Sequence, residues 1–251
     1  MNITGCIVTY NNADCIEICI NSLFRCFKKY SFTLYISDNG STDGTVELIE
    51  KRFPDVILIN NRKNLGFGMG HNQILPTINH GYHFIINPDI YVDSDVMGNL
   101  IDYMEENPDI GIITPLIKNV DGSIQHLPKR TPTIRYLGLS KLPGFHYLRK
   151  EYTRENENLT QPTEISFCTG CFFCIRSALL KKISGFDKRF FMYFEDADLT
   201  REVRLSGYKI VYYPFTYVIH RWKRDNVKSL KGIFREIYSM IKYFNKWGWR
   251  F

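Results

Sequence analysis

Two stretches near the amino terminus decide the predicted fold: Ile3-Thr-Gly-Cys-Ile-Val-Thr-Tyr-Asn11-Asn12 and Phe32-Thr-Leu-Tyr-Ile-Ser-Asp38-Asn-Gly-Ser-Thr-Asp43-Gly44. Each is an apolar, β-branched run that passes into polar turn residues, and a helical pattern separates the two. The alternation continues to residue 117, with strands predicted at 3–10, 32–37, 56–59, 83–87 and 110–115 and helices at 13–28, 44–52, 68–79 and 94–107. This pattern predicts an α/β fold with a mostly parallel, Rossmann-like sheet covered by helices on both faces.

Polar clusters follow successive predicted strands, at residues 9–12, 38–44, 61–66 and 87–89. Ligands of such sheets bind beyond the carboxyl ends of the strands. We therefore expect these clusters to line one crevice. The sequence has no Gly-x-Gly-x-x-Gly motif after the first strand and no Walker loop, which argues against dinucleotide oxidoreductases and phosphate-loop NTPases.

The second half of the chain lacks the regular alternation of strand and helix patterns seen in the first half. Residues 119–163 contain several prolines and basic side chains with little periodicity, and we interpret this segment as a functional flap or an irregular excursion. Strands are predicted at 164–175, 208–213 and 216–219, and helices at 195–206 and 227–246. The organisation expected is one large domain with an appended tail.

The composition is that of a folded globular protein: of 251 residues, 44% are apolar, 15% aromatic and 23% charged. The formal net charge is +6, and residues 221–251 alone carry nine basic and two acidic side chains, a local charge of +7. A near-neutral body with a basic tail argues against a general nucleic-acid-binding protein and for contact with one anionic surface. The amino terminus lacks a basic n-region, so we expect a cytoplasmic protein without a signal peptide or transmembrane helix.

The tail predicts an amphipathic helix, because apolar side chains recur at three- and four-residue spacing in one stripe: Leu230, Ile233, Phe234, Ile237, Met240, Ile241 and Phe244. Other faces carry basic residues, and tryptophans lie near the end of the chain: Lys231, Arg235, Lys242, Lys246, Trp247 and Trp249. Such a helix lies in a membrane interface or packs on the protein body. Its charge and its tryptophans favour peripheral contact with the anionic inner face of the cell membrane.

The seven cysteines are interpreted as reduced thiols. The run Cys168-Thr-Gly-Cys171-Phe-Phe-Cys174 has metal-ligand spacing, but its aromatic and apolar neighbours are typical of a buried strand, and a zinc site needs a fourth ligand close by. Cys15, Cys19 and Cys26 fall on the apolar stripe of a predicted helix. We therefore expect all of these thiols to be small core side chains.

Four polar groups carry candidate chemistry, and each has a structural alternative. Residues 38–44 either cap the next helix or place a carboxylate against a nucleobase or ribose. Asn87-Pro-Asp89 is either a turn or a carboxylate site for Mg²⁺ or Mn²⁺. The acids of 195–198 either stabilise a helix first turn or, beside the apolar run 190–194, supply a base with a tuned pKa. His220, at the end of a predicted strand, is either a surface histidine or a metal ligand.

These groups are part of a longer ordered series of motifs: Val8-Thr-Tyr-Asn11, Asp38-Asn-Gly-Ser-Thr-Asp43, Asn64-Leu-Gly-Phe-Gly-Met-Gly-His-Asn72, Asn87-Pro-Asp89, Thr169-Gly170, Phe194-Glu-Asp-Ala-Asp198, Arg204-Leu-Ser-Gly207-Tyr and His220. In this order they resemble glycosyltransferase family 2, the inverting class with the GT-A fold. Within it the sequence is similar to the bacterial rhamnosyltransferase-like branch. The resemblance covers residues 3–222, and the ordered set is far more specific than any single motif.

The resemblance implies a nucleotide-binding group drawn from the polar clusters: Thr9, Tyr10, Asn11, Asp38, Asn39, Asn64, Gly66, Phe67, Asn72 and Asn87. It implies that Asp89 and His220 hold a divalent cation, Mn²⁺ or Mg²⁺, and that Asp196 is the general base. On the side of the acceptor and the donor sugar it implies Gly170, Glu195 and Asp198. Many members carry Asp-x-Asp where this chain has Asn87-Pro-Asp89, so the motif here has a single carboxylate.

The resemblance also implies a domain organisation and an activity. A GT-A catalytic domain is expected at 1–222, with a nucleotide-sugar half at 1–117 and an acceptor half at 118–222, followed by the basic tail at 223–251. The expected reaction moves a sugar from a nucleotide-diphosphate donor, dTDP-rhamnose or a UDP-sugar, to a hydroxyl of a lipid-linked or polysaccharide acceptor in cell-surface glycan synthesis. A homo-oligomer is compatible with this reading.

Two alternatives stay open at this point. A sugar-phosphate nucleotidyltransferase would need a glycine-rich basic loop after the first strand, and the sequence lacks one. A catalytically silent relative would bind a nucleotide sugar or a membrane surface without turnover. The presence of Asp196, Asp89 and His220 counts against that second alternative.

Overall fold

The first half of the chain forms a parallel half-sheet, because each strand is followed by a connection that returns the chain to the same edge. The computed structural model describes residues 1–221 and 230–251. The strands of this half are β1 Ile3–Thr9, β2 Phe32–Asp38, β3 Ile57–Asn60 and β4 Tyr82–Ile86. They lie in the order β3-β2-β1-β4, all parallel. The intervening helices are α1 Ile16–Cys26, α2 Thr45–Arg52 and α3 Phe67–Asn72.

The second half extends this sheet with strands of mixed direction. These strands are β5 Ile90–Tyr91, β6 Ile110–Lys118, β7 Thr163–Glu164, β8 Phe172–Arg176 and β9 Lys209–His220. The full order is β3-β2-β1-β4-β8-β6-β9-β5, and β7 pairs with β9. Strand β8 is antiparallel to both β4 and β6, whereas β6 and β9 are parallel. The predicted α/β fold is confirmed, and its sheet is parallel in the first half and mixed in the second.

The strand predicted at 164–175 is wrong in extent. Residues 165–171 leave the sheet between β7 and β8, and their turn reaches the helix that carries the acidic cluster. There the Gly170 N–H donates a hydrogen bond to Asp196. The apolar composition of this segment reflects burial of a loop rather than pairing in a sheet.

Two other predicted boundaries also differ from the structure. The helix predicted at 68–79 ends at Asn72, because Pro76 has no N–H to continue the hydrogen-bond ladder, and turns follow instead. The two strands predicted at 208–213 and 216–219 are one strand, β9. An irregularity within it shifts the pairing with β6 by three residues between Tyr213 and Tyr217.

The core lies on both faces of the sheet. Alternate residues of β1 explain this, since Ile3 and Ile7 belong to one apolar cluster and Cys6 to the other. The first cluster is completed by α1 and by α4 (Val96–Glu106), and the second by α7 (Ser177–Lys182) and α8 (Glu195–Leu205). None of the seven cysteines, all within the described residues, forms a disulfide. All but Cys26 are buried, and Cys26 packs against the first apolar cluster, which confirms that they are core side chains.

The segment at 119–163, called the flap below, contains short helices. These are α5 Ile134–Leu137, a 3-10 turn at Leu139–Lys141 and α6 His146–Tyr152. The flap packs against the C-terminal helix α9, Leu230–Trp247, in a third apolar cluster. One backbone bond fastens the two elements, from the Ile134 N–H to the Arg250 carbonyl at 2.9 Å. The flap therefore packs directly on the C-terminal tail.

The face that α9 presents to the protein differs from the predicted stripe. Tyr243 and Phe244 are buried, and Met240 and Trp247 pack beside them. The other described members of the stripe, together with Tyr238, are exposed: Ile233, Phe234, Ile237, Tyr238 and Ile241. The side chain of Leu230 and the predicted domain boundary at 222/223 lie outside the described residues. Within the described chain, no helix has both the length and the hydropathy needed to cross a bilayer.

A cluster of charges holds α9 in place. Lys246 Nζ lies 2.7 Å from Asp198 Oδ1 and 2.9 Å from Glu202 Oε1, both on α8, and 3.1 Å from Asp187 Oδ2. Trp247 Nε1 donates a 2.7 Å hydrogen bond to Asp198 Oδ1. The sequence places Lys246 outside the apolar stripe of the tail, and in the structure its side chain is 15% exposed and points at the body.

We expect Lys246→Met to lower the free energy of unfolding by about 3 kcal/mol, because it leaves the buried Asp198 carboxylate without its cation. Urea unfolding followed by circular dichroism measures this loss. The matched control is Lys242→Met, one turn earlier on α9, since Lys242 Nζ donates only to the Arg189 carbonyl. Equal losses in the two variants would show that the ion pairs do not hold the helix.

Candidate active site

The carboxyl ends of β1 and β2 carry the buried pair Thr9 and Asp38, which lie opposite each other in the parallel register. Asp38 Oδ1 accepts hydrogen bonds from Thr9 Oγ1 at 3.0 Å and from the Ser41 hydroxyl. Its Oδ2 accepts the N–H groups of Gly40 and Ser41, both at 2.9 Å. With four donors on one carboxylate, Asp38 shapes this loop. A nucleobase N–H would have to share an oxygen with one of them.

Tyr10 and Asn11 form the outer rim of the same pair of loops. Asn11 adopts a left-handed conformation with φ 58°, and its N–H donates to Ser41 Oγ at 2.9 Å. Its side-chain oxygen accepts the Thr42 N–H at 2.8 Å. The Tyr10 side chain is half exposed, so the rim of the crevice offers an aromatic face on which a base can stack.

Asn39 connects these loops to the glycine-rich turn that precedes α3. Its Nδ2 donates to the Gly66 carbonyl at 3.1 Å, and its Oδ1 accepts the Leu65 N–H at 3.3 Å. Asn64 closes the turn by accepting the Gly66 N–H at 2.9 Å. Gly66 has φ +82°, and a Cβ there would lie 2.1 Å from the Phe191 carbonyl oxygen, so only glycine fits.

Asn72 does not join this hydrogen-bonded group, and its predicted nucleotide contact stays a prediction. Its Nδ2 donates to the Phe186 carbonyl at 2.7 Å, and its Oδ1 accepts the Phe186 N–H at 2.9 Å. Both ends of the amide therefore bind backbone, and Asn72 holds the 186 loop against α3. Phe67, at the other end of α3, does face the centre of the site, because a Cβ on Gly170 would lie 3.1 Å from its ring.

Asp196 lies where these elements meet. Its Oδ2 accepts the Gly170 N–H at 3.0 Å, and its Oδ1 accepts the N–H of Ala197 at 2.8 Å. Burial raises the pKa of Asp196, and the nearby Lys129 cation opposes that rise. The pKa of Lys129 is lowered, because burial lowers it by more than the Asp196 carboxylate raises it. A carboxylate of this kind is suited to accept a proton.

The approach to α8 is a strained turn. Tyr193 and Phe194 have φ values of +70° and +67°, a region that side chains other than glycine rarely adopt. Strain of this kind persists only where surrounding packing imposes it. Phe194 packs on Tyr243 of α9, with ring centroids 5.5 Å apart. The turn and the tail thus jointly set the direction in which Asp196 enters the site.

The other two acids of the cluster have different surroundings. Asp198 points to the opposite side of α8 and binds Lys246 and Trp247 of α9. These contacts are structural, and its predicted place beside the sugars stays a prediction. Glu195 is buried, and its Oε2 has no hydrogen-bond partner among residues 1–221 and 230–251. Burial together with the neighbouring Asp196 raises its pKa. A carboxyl in that setting favours its neutral form.

Asp89 and His220 converge at the far end of the crevice. His220 Nε2 lies 3.2 Å from Asp89 Oδ1 and 3.3 Å from Asn87 Nδ2. On the other side of the ring, His220 Nδ1 lies 3.0 Å from Gln125 Oε1. Gln125 Nε2 in turn donates to the His220 carbonyl at 2.9 Å, which fixes the amide orientation. Nδ1 is therefore the donor, and Nε2 presents its lone pair towards Asp89.

This arrangement fits a divalent cation held by two protein ligands. An imidazole whose Nδ1–H is engaged by an amide oxygen has the tautomer and the orientation of metal-ligating histidines. Among the described residues no group of three or more His, Cys, Asp and Glu side chains converges. The remaining ligands would have to come from a donor diphosphate and water.

The match to known proteins follows this geometry. The model of the family described as "Glycosyl transferase family 2" matches residues 5–184, which include most of the crevice. The chain belongs to glycosyl transferase family 2. N-acetylglucosaminyl-diphospho-decaprenol L-rhamnosyltransferase of Mycobacterium tuberculosis is 26% identical over 261 residues, covering 97% of this chain and 85% of the relative. Rhamnosyltransferase WbbL of Escherichia coli K12 is 25% identical over 188 residues, 70% of each chain.

Solved structures share the fold of this family 2 glycosyltransferase. Staphylococcus aureus TarS 1-349 in complex with UDP-GlcNAc aligns with a TM-score of 0.63 at 19% identity, over 91% of this chain and 61% of TarS. Mannosyltransferase PcManGT of Pyrobaculum calidifontis, in complex with GDP-Man and Mn²⁺, gives 0.62 at 15% identity, over 96% and 64%. This chain therefore spans just over three-fifths of either solved chain.

Two residues of the glycosyltransferase site were not found by sequence reasoning. Lys129 and Gln125 both lie at the start of the flap, where periodicity and motifs are weak. The signal that does exist is the flap itself, a long irregular segment of the kind that carries function. Their partners, Asp196 and His220, are distant in sequence, so the pairings are visible only in the fold.

Replacing Gln125 by leucine is expected to weaken Mn²⁺ binding about tenfold. The leucine removes the acceptor of the His220 Nδ1–H hydrogen bond, and the loss of such a partner weakens metal affinity by this order. Isothermal titration calorimetry with saturating dTDP measures the affinity directly, without reference to turnover. Ser123→Ala serves as the control, since Ser123 contacts Asn119 and Asp121 rather than His220. Unchanged Mn²⁺ affinity in Gln125→Leu would exclude His220 as a ligand.

Proposed function

We propose that this glycosyltransferase transfers rhamnose from dTDP-rhamnose to a hydroxyl of N-acetylglucosamine linked through a diphosphate to a polyprenyl lipid, with inversion at the anomeric carbon. The observation that carries the proposal is the likeness to the mycobacterial rhamnosyltransferase along 97% of this chain and 85% of that relative. A relative with a rhamnosyltransferase name from Escherichia coli supports the same sugar.

The donor would bind across the ends of the parallel strands. Thr9, Asp38 and Asn39 form a rigid hydrogen-bonded floor, and Tyr10 and Asn11 form its rim. Asn64, Gly66 and Phe67 would close the site from the side of α3. The floor is built before any ligand arrives, so little ordering entropy is lost when the nucleotide binds.

The reaction is a single in-line displacement, which needs a base for the acceptor hydroxyl and stabilisation of the departing diphosphate. Asp196 would accept the acceptor proton on an oxygen that Gly170 N–H orients. The nearby Lys129 cation opposes the rise in the pKa of Asp196 that burial causes. Two carboxylates flanking the reacting bond are not required, unlike in a retaining glycosidase.

Asp89 and His220 would hold Mn²⁺ or Mg²⁺ at the diphosphate end of the donor, with Asn87 beside them. A divalent cation bound there neutralises charge on the departing diphosphate. The solved mannosyltransferase with the same fold contains Mn²⁺ with GDP-Man, which supports this proposal at the level of the fold. Because the described part of the chain offers two ligands here, the cation should bind far more tightly with nucleotide than alone.

Peripheral membrane contact is a further part of the proposal. The exposed apolar side chains of α9 form a row, called the exposed row here: Ile233, Phe234, Ile237, Tyr238 and Ile241. This row would enter the interface of an anionic membrane, where a lipid-linked acceptor is presented. Arg235 is exposed on the same helix and would face lipid head groups, whereas Lys242 Nζ donates to the Arg189 carbonyl. This row replaces the wider stripe predicted from sequence, since Met240 and Phe244 face the protein.

The central test is transfer of radiolabelled rhamnose from dTDP-rhamnose to a synthetic GlcNAc-diphospho-lipid. Asp196→Asn is expected to reduce kcat about 10²–10⁴-fold, because only the proton acceptor is lost. Its dTDP affinity should be unchanged, which calorimetry checks. Retention of more than about a tenth of the wild-type rate would exclude Asp196 as the base. Transfer from a UDP-sugar but not from dTDP-rhamnose would overturn the proposed donor.

Membrane contact is tested by Phe234→Asp, whose side chain is 70% exposed. Co-sedimentation with phosphatidylglycerol vesicles should weaken about tenfold, because an inserted aromatic ring is replaced by an anion. Phe215→Asp is the matched control, since that phenylalanine is 60% exposed on β9, away from α9. Should both variants sediment like the unmodified protein, the row on α9 does not enter the membrane.

A further inference from the structure

A cavity of about 890 Å³ lies between the flap and α9. Its walls are largely apolar, and the apolar contributors come from α5, α9 and the end of the chain: Ile134, Leu137, Ile237, Met240, Phe244 and Trp249. Cavities of this size and lining hold drug-sized ligands in other proteins.

One end of the cavity is basic. Lys129 and Arg149 line it, and in the described part of the chain neither forms an ion pair or a side-chain hydrogen bond. Two carboxylates also line the cavity. Glu155 accepts the Thr153 hydroxyl at 2.7 Å, and Glu236 faces Lys129 from α9. The basic end therefore offers two cations, and the carboxylates that oppose Lys129 are Asp196 of the proposed reaction and Glu236.

The basic end begins beside the base of the proposed reaction. The Lys129 N–H donates to the Phe167 carbonyl at 3.2 Å, and Lys129 Nζ lies 5.3 Å from the centre of the Phe167 ring. Phe167 is three residues before Gly170, whose N–H holds Asp196. A ligand whose hydroxyl lies at Asp196 would therefore extend past Lys129 into the cavity.

The apolar end opens onto the exposed row of α9. Ile237 lines the cavity and is also 42% exposed, so it forms the rim. One turn before and one turn after it, Ile233 and Ile241 are 43% and 38% exposed on the same face of the helix. An apolar surface thus continues without interruption from outside the protein into the cavity.

We propose that this cavity is the acceptor subsite and that it takes the diphosphate and the first isoprene units of a polyprenyl diphosphate-linked sugar. The inference rests on the proposed function and adds to it the place where the lipid binds. The diphosphate lies between Lys129 and Arg149, and the isoprenoid chain follows Met240 and Ile237 to the surface. A phospholipid fits this order less well, because it has no sugar to place at Asp196.

The test compares two soluble acceptors without vesicles, GlcNAc-diphosphate carrying a farnesyl group and GlcNAc-diphosphate carrying a methyl group. The unmodified protein should show a KM at least about tenfold lower for the farnesyl compound, because several methylene groups leave water. Ile237→Asp should abolish this preference and leave dTDP affinity unchanged. Ile233→Asp is the matched control, since it is equally exposed on the same face but does not line the cavity, and it should keep the preference.

The charged end is tested in the same assay. Arg149→Gln should raise the KM of both acceptors, and Glu236→Gln should lower it, because the first removes a cation near the diphosphate and the second removes an opposing anion. Equal KM values for the farnesyl and methyl acceptors in the unmodified protein would overturn the subsite and leave the proposed function standing. So would identical behaviour of Ile237→Asp and Ile233→Asp.

If neither acceptor receives rhamnose, the proposed function fails, and the cavity is then judged by binding alone. Farnesyl diphosphate should quench the tryptophan fluorescence of the unmodified protein and of Ile233→Asp, but not of Ile237→Asp. Inorganic diphosphate should bind at least about tenfold more weakly than farnesyl diphosphate. Displacement of farnesyl diphosphate by an equal concentration of phosphatidylglycerol would overturn the proposal, since the cavity would then be a general anionic lipid site.

Discussion

The pairing of Asp198 with Lys246 and Trp247 is the contact on which the packing of α9 and the flap depends. This pairing holds α9 against α8, and in that position α9 packs on the flap in the third apolar cluster. The closed third cluster supplies the wall behind Phe194, whose strained turn directs Asp196. One buried ion pair thereby links the placement of the last helix to the geometry of the base.

The three carboxyl groups at the start of α8 lie within one helix turn, but each has different surroundings. Residues two apart on a helix point about 200° apart, so Asp196 and Asp198 face opposite sides. Asp196 meets Gly170 and the charge of Lys129, whereas Asp198 meets α9. Glu195 lies buried, without a partner for Oε2 among the described residues. Identical chemistry thus yields a candidate base, a structural anchor and a carboxyl that favours its neutral form.

The two sides of the crevice are built by different means. On the nucleotide side, short loops after parallel strands are held by side-chain-to-backbone bonds, chiefly from Asp38 and Asn39. Such bonds form between neighbouring loops of a sheet and leave a rigid surface. On the other side, the flap and α9 enclose a large cavity with mainly apolar walls. This division fits a constant nucleotide moiety and a bulky, partly apolar acceptor.

The sequence by itself determined the α/β class, the positions of the first-half strands and the order of motifs around the crevice, because periodicity and turn composition are local properties. It also placed Asp89, His220 and Asp196 at the ends of their elements. Only the tertiary structure decided that β8 runs against its neighbours, that Asn72 and Asp198 contact distant protein groups, and that the tail forms one wall of a cavity. Each of these depends on contacts between segments far apart in the chain, and no local pattern encodes which distant partner a buried polar side chain will meet.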